Sequence, residues 1–175
     1  RTELARSVFG HSWGAKISGQ VYVKGQPVNV KTVRNAIDAG IAYSTEDRKR
    51  FGLNLIDDIK RNISIASLED FTRFGLVNSN EEFKVASEYR ESMNIKAPSA
   101  NSIVGKLSGG NQQKVVLSQW INVDPEILIL DEPTSALDPE AAHEIIASLA
   151  KLTKDLGITV LLSEHRLERA LPLVD

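Results

Sequence analysis

The sequence contains no cysteine, which removes disulfides, thiolate zinc sites and a thiol nucleophile from consideration and leaves a reducing compartment permitted. No apolar run approaches the roughly 20 residues needed to span a bilayer, so the chain is not expected to cross a membrane by itself. Arg1 to Gly10 lacks the apolar stretch and cleavage site of a signal peptide. An excess of one charge is missing too. A formal net charge of -2 and a pI near 6.0 give no global basic field, so electrostatics offers no reason to expect nucleic acid as a partner. What is present is ordinary globular composition, 42% hydrophobic and 25% charged. The 175 residues suffice for one domain with a sizeable core, or for a core carrying a small appended subdomain.

Along the chain, Leu4, Ala5 and Val8 fall at helical spacing within Thr2 to Phe9, and Gly10 is a natural stop. Alternation through Val21-Tyr22-Val23, a Gly25-Gln26-Pro27 turn and Val28-Asn29-Val30 predict a hairpin across Gly19 to Val30. Val33 to Ala39 predicts a short helix and Gly40 to Tyr43 a strand, after which the charged run Glu46 to Arg50 is expected as a loop. From Asn54 to Ala100 the periods become mainly helical, clearest over Glu81 to Met93, with no convincing strand. Then follow a helix from Gly109 to about Asn122, an apolar strand Ile127 to Leu130, a helix from Pro139 to Lys154 and a strand Ile158 to Leu162. Asp138 is a good N-cap for the last helix, with Pro139 at its first position and Gly157 beyond its end. Apolar strands alternating with helices imply an α/β fold with a parallel sheet covered on both faces. The expected plan is residues 1–53 as the first part of the core, 54–106 as a helical subdomain running into a helix at 107–122, and 123–175 as the rest of the core.

The most informative stretch is Glu126-Ile127-Leu128-Ile129-Leu130 followed by Asp131-Glu132-Pro133-Thr134. A run apolar throughout is expected as a central strand, and in such sheets ligands sit beyond the carboxyl ends of the strands. Asp131 and Glu132 emerge at that edge. An aspartate there can hold Mg²⁺ directly or through water, and the next carboxylate can orient or deprotonate an attacking water. The same pair can also simply end a strand and bind solvent. Upstream, Leu107-Ser108-Gly109-Gly110-Asn111-Gln112-Gln113 opens a helix with a serine and two glycines. A helix start with free N–H groups and unhindered backbone is an anion site, to which Ser108 can add a hydroxyl. Equally, Ser108 can cap its own helix.

Together these residues resemble the ABC-type ATPases. Leu107 to Gln113 looks like the signature motif, Asp131-Glu132 like the end of Walker B with its catalytic glutamate, Ser135-Ala136-Leu137-Asp138 like the D-loop, and His165 like the switch histidine, in matching order and spacing. Arg1-Thr2-Glu3-Leu4 is similar to the end of a degenerate Walker A, with arginine where most members carry lysine; the glycines of that loop and the strand before it would precede Arg1. Ala42 to Arg50 resembles a Q-loop region with Glu46 standing where glutamine is usual. These features, with the Asn-Gln-Gln ending of the signature, resemble the second nucleotide-binding half of ribose, xylose and galactose importers. The last quarter, Ser135 to Asp138 and Ser163 to Arg166, looks instead like generic importer or energy-coupling-factor ATPases.

The resemblance implies a P-loop NTPase core with an inserted helical subdomain, ATP and Mg²⁺ as cofactors, and a second nucleotide-binding domain as sandwich partner. It also implies membrane permease subunits, which Phe71 to Ile95 would face, and a cytoplasmic, peripheral location on the inner face of the cell membrane. Glu132 and His165 would be catalytic, and Asp131 and Thr2 would hold the metal. Nucleotide contacts would come from Arg1, Thr2, Glu46, Leu107, Ser108, Gly109, Gly110, Asn111, Gln112, Ser135 and Asp138. The segment by itself is expected to bind ATP poorly, because the phosphate cradle belongs to the glycines before Arg1. His11 and His143 receive no role, and Trp13 and Trp120 are expected to pack rather than stack on a base.

Overall fold

The computed structural model describes residues 2–11 and 17–165. Arg1, Trp13 and Arg166, for which the sequence raised expectations, lie outside the described residues. Helix α1 (Thr2–Val8) is followed by the antiparallel hairpin β1 (Val21–Val23) and β2 (Gln26–Val28), the short helix α2 (Val33–Asp38) and strand β3 (Ile41–Ser44). Next come α3 (Ile59–Ser64), a small hairpin of β4 (Thr72–Arg73) and β5 (Leu76–Val77), and α4 (Ser79–Ser92). The chain then forms α5 (Gly109–Ile121), β6 (Ile127–Asp131), α6 (Pro139–Leu156) and β7 (Thr159–Ser163).

Among the described residues three strands make the parallel sheet, in the order β3-β6-β7, with Ser44 opposite Leu130 and Asp131 opposite Ser163. The period of two sorts their side chains. Ala42, Leu128 and Leu130 enter a large cluster with Ile63, Leu117, Ile145 and Leu149, while Ile41 and Tyr43, with Ile127 and Ile129, join Phe9 and Ala36 on the other face. Trp120 touches both clusters and meets Phe9 edge-on with ring centroids 5.4 Å apart. Because α1 packs on β6, the second face belongs to the helix that Thr2 opens.

Helix α5 is buried from Gln112 to Gln119, its polar Gln112, Gln113, Lys114, Ser118 and Gln119 included. It touches α3 and the 65–71 turn on one side and β3 and α6 on the other. Two expectations need correcting. The Glu46 to Arg50 run is not open loop: Arg48–Gly52 winds into a π-helical turn, capped by Asp47, whose carboxylate accepts the Arg50 N–H at 3.2 Å. The stretch after Asn54, expected without strands, holds the β4–β5 hairpin, whose turn places Phe74 at φ 52° and Gly75 at φ 79°. That hairpin is an exposed excursion and not part of the core sheet, since Phe74, Leu76 and Val77 are all solvent-facing.

Candidate functional site

Strand β6 carries Asp131 to its carboxyl end on the α1 face, where it is 1% exposed. Its Oδ2 accepts the Tyr43 hydroxyl at 3.3 Å, while its Oδ1 is buried without a partner. The Oγ atoms of Ser44 and Ser163, at the ends of the flanking strands, are likewise buried and unpartnered. A buried carboxylate oxygen with nothing to bond is expensive. Asp131 and Ser163, paired across neighbouring strands, leave two such atoms side by side on the α1 face at the sheet's carboxyl end, a place suited to meet something polar, while Ser44 lies on the opposite face. Beside the Asp131 charge, burial pushes the Tyr43 phenol up to about 12, so it stays a donor.

Glu132 turns the chain out of the strand with φ 48°, a left-handed conformation that costs a non-glycine residue about 1–2 kcal/mol. The turn is held by its N–H, which donates to the Ser163 carbonyl at 2.8 Å, and by the Ser135 N–H, which donates to the Glu132 carbonyl at 3.1 Å. Glu132 Oε1 lies 2.7 Å from His165 Nε2, with the carboxylate mostly buried and the imidazole largely exposed. Burial first, and then the Glu46 charge, holds the Glu132 carboxyl above the usual carboxylate range, with His165 opposing. Asp131, Glu132, Glu46 and His165 therefore form one electrostatic group.

A second group forms where α5 and α6 begin. Ser108 caps α5, its Oγ accepting from the Asn111 N–H at 3.5 Å and the Asn111 side-chain amide at 2.8 Å. Asn111 Oδ1 accepts the Lys96 N–H at 2.8 Å, and the buried Gln112 side chain donates to the Val104 carbonyl at 3.2 Å. Both glycines sit where a side chain would collide. A Cβ on Gly109 would lie 2.8 Å from Arg48 Nη2, and one on Gly110 would lie 3.0 Å from the Ala141 Cβ. Leu107 packs against the large cluster. Asp138 caps α6 by accepting the Ala141 N–H at 2.9 Å. Ser108, Gly110, Asn111 and Asp138 line one small cleft, whereas Glu46 and Ser135 line another of about 340 Å³.

Thr2 begins α1, which rests on β6. Among the described residues no group of three or more His, Cys, Asp or Glu side chains is placed to hold a metal on its own. Magnesium in nucleotide sites takes one or two protein oxygens and completes its shell with phosphates and water. The free Oδ1 of Asp131, on the face that α1 covers, fits that requirement. Sequence reasoning passed over three residues: Tyr43, which bonds Asp131; the buried Glu164, whose Oε1 accepts the Thr134 N–H at 3.0 Å; and the buried Arg48. The alternation of β3 gave a signal for Tyr43 alone.

The family model described as ABC transporter matches residues 1–135. The chain is 45% identical over 175 residues to an L-arabinose transport ATP-binding protein of Geobacillus stearothermophilus, covering all of this chain and 34% of that protein. A xylose import ATP-binding protein of Thermoanaerobacter pseudethanolicus is 42% identical over the same length, covering all of this chain and 34% of that protein. A ribose import ATP-binding protein of Clostridium tetani is 38% identical over 176 residues, again across 100% of this chain and 34% of its own length. The match thus runs through the last quarter, and the chain spans about a third of the length of these relatives. A nucleotide-free ATP-binding cassette from an ABC transporter superposes with a TM-score of 0.78 at 20% identity, covering 98% of this chain and 68% of that one. A dimeric cassette in a post-hydrolysis state with ADP and Pi gives 0.73 at 23% identity, covering 95% and 70%. With the parallel sheet, the acidic strand end and a family match over more than three quarters of its length, the chain belongs to the ABC transporter family.

Proposed function

We propose that this chain is part of an ATP-binding and ATP-hydrolysing subunit that powers sugar import through a separate membrane permease. The observation that carries the reading is the end of β6: a buried Asp131 with one unpartnered carboxylate oxygen, followed by a strained Glu132 held against His165. The sugar names of the relatives, arabinose, xylose and ribose, support the substrate class. A dimeric cassette among the structural neighbours supports a second nucleotide-binding domain as partner. No helix among the described residues is long and apolar enough to cross a membrane. That agrees with a peripheral, cytoplasmic subunit docked on its permease.

Asp131 and Thr2 would hold Mg²⁺ in this reading, and the ion would supply positive charge to offset that of the nucleotide's phosphates. Glu132 is set up to work on water. Its raised proton affinity makes it a better base than an exposed glutamate. His165 fixes Oε1, which leaves Oε2 to take the proton of a water aligned with the γ-phosphate. Ser108 and the first amides of α5 offer hydrogen bonds to the γ-phosphate of the partner domain's nucleotide across the dimer interface. Glu46, Ser135 and Asp138 stand around these two groups as nucleotide-facing positions.

Glu132→Gln in the intact protein tests the reading. Glutamine keeps the size and hydrogen-bonding reach but cannot accept the proton, so ATP binding survives. Hydrolysis at that site, read in single-turnover measurements with the other site inactivated, falls by about 10²–10⁴-fold. Loss within a factor of about two makes Glu132 a structural strand terminus. It would favour instead a catalytically inert half, which the unusual Glu46 and Arg1 already resemble.

A further inference from the structure

Arg48 is the second residue after Glu46 and opens the π-helical turn Arg48–Gly52. Its N–H donates to the Glu46 carbonyl at 3.2 Å, so its backbone is tied directly to the Glu46 loop. The residue is only 5% exposed, with Nε buried and without a hydrogen-bond partner, and it lines the same cleft as Glu46 and Ser135. The guanidinium ends against the start of α5. Nη2 occupies the space beside Gly109, 2.8 Å from where a Cβ would stand, and the same spot is bounded by Leu137 Cδ2 at 3.3 Å and the Ala136 carbonyl at 3.8 Å. Arg48 is thus joined to the Glu46 loop through its main chain and set beside the start of the signature helix through its guanidinium.

Stability does not account for this arrangement. An arginine is charged at every working pH, and burying it with incomplete pairing is costly, whereas apolar replacements of buried charged groups are often neutral or stabilising. Burial lowers the Arg48 pKa, and the carboxylate opposing this is Asp47, its neighbour in the chain. A charged residue kept in so buried a position points to a requirement on geometry rather than on stability. The rigid planar fork of arginine, which leucine and lysine both lack, fills the flat space left by a glycine.

We propose that Arg48 is a positioning residue that locks the Glu46 loop to the first turn of the signature helix. The inference rests on the functional reading above. In that reading Glu46 faces the nucleotide of this half's own site, and Ser108 to Gln112 face the nucleotide of the partner's. Arg48 makes the two move as one piece. Occupancy of one composite site is thereby felt at the other without a shared ligand.

The test uses the intact protein with Arg48→Leu and Arg48→Lys. Two readouts are taken: ATP turnover with separate kcat and KM, and hydrogen exchange at the Asn111 and Gln112 amides, which bond Ser108. With the lock lost, Arg48→Leu exchanges those amides at least tenfold faster without nucleotide. Its kcat falls at least tenfold while KM stays within twofold, and Arg48→Lys gives a smaller loss of both. If Arg48→Leu does not fold, the lysine variant decides by the same two readouts. Unchanged exchange overturns the proposal. So does faster exchange with unchanged kcat in a protein that hydrolyses ATP, and so does a parallel loss of ATP binding and kcat, which is general destabilisation. A wild-type protein that does not hydrolyse ATP removes the functional reading, and the exchange measurement then still decides whether Arg48 holds the signature helix.

Discussion

Glu132 carries strain of two kinds in one residue: a left-handed backbone, and a carboxylate that burial and Glu46 make reluctant to ionise. Such strain persists only where the surroundings over-determine it, and it gathers at sites that do chemistry. A testable consequence concerns stability and not turnover. The folded-state pKa of Glu132 lies above its unfolded value. Below the unfolded value the carboxyl is protonated in both states and costs nothing. As pH rises through the folded value, the folded state alone bears the cost of ionising it. Glu132→Gln removes that cost, so its melting temperature should exceed that of the wild type at pH 8, with the gain shrinking as pH falls through the carboxylate range. Thermal melts at pH 8 and pH 4 check this. A gain that grows on acidification would mean that the His165 contact, and not burial, governs the group. Of this residue the sequence revealed the position, because an acidic pair after an apolar run is a local pattern. Its backbone twist, its coupling to Glu46 and the Tyr43 bond to Asp131 depend on strand register, and no local pattern carries those.

At the scale of elements, legibility follows how local the deciding interactions are. Helix α6 was readable at both ends: Asp138 accepts the Ala141 N–H, Pro139 sits at the first position, and Gly157 takes φ 66° at the far end. Each is a contact within a few residues. The π-helical turn was not readable although Asp47 caps it locally, because the residue that opens it, Arg48, is buried beside the start of α5, some sixty residues away in sequence. The β4–β5 hairpin escaped for the opposite reason: its exposed Leu76 and Val77 follow no core-facing alternation. The cap on α6 gives Asp138 a structural role that can be separated from the nucleotide-facing one proposed for it. Asp138→Ala should cost about 1 kcal/mol of stability through the lost cap. Asp138→Asn keeps an oxygen in the same place and should restore most of it, as denaturant titration of the two variants would show. Equal losses in both would place the stabilisation in the charge and the helix dipole, not in the hydrogen bond.

Across the whole molecule, the sequence suggests a division between a helical stretch and a sheet core, and hydrophobic packing is continuous across it. The large hydrophobic cluster does not stop at a boundary. It runs from Ile59, Ile63, Ala86 and Met93 in the helical stretch through Val115 and Leu117 of α5 to Leu128, Leu130, Ile145 and Leu149 around the sheet. Helix α5 is the bridge, buried nearly throughout and in contact with both α3 and β3. Such continuity predicts that the two regions open together. Ile63 is fully buried, so Ile63→Ala should cost about 2–5 kcal/mol through lost burial and a residual cavity. In hydrogen exchange that is an acceleration of roughly thirtyfold or more wherever amides exchange through the opening that exposes Ile63. If the cluster is one cooperative unit, the amides of β6, on the far side of α5, accelerate as much as those of α3. If the helical stretch is a unit of its own, acceleration is confined to α3, α4 and their connections while β6 stays at wild-type rates. The second result would mean that α5 transmits geometry between the regions but not stability, and that the helical stretch can rotate against the sheet without unfolding.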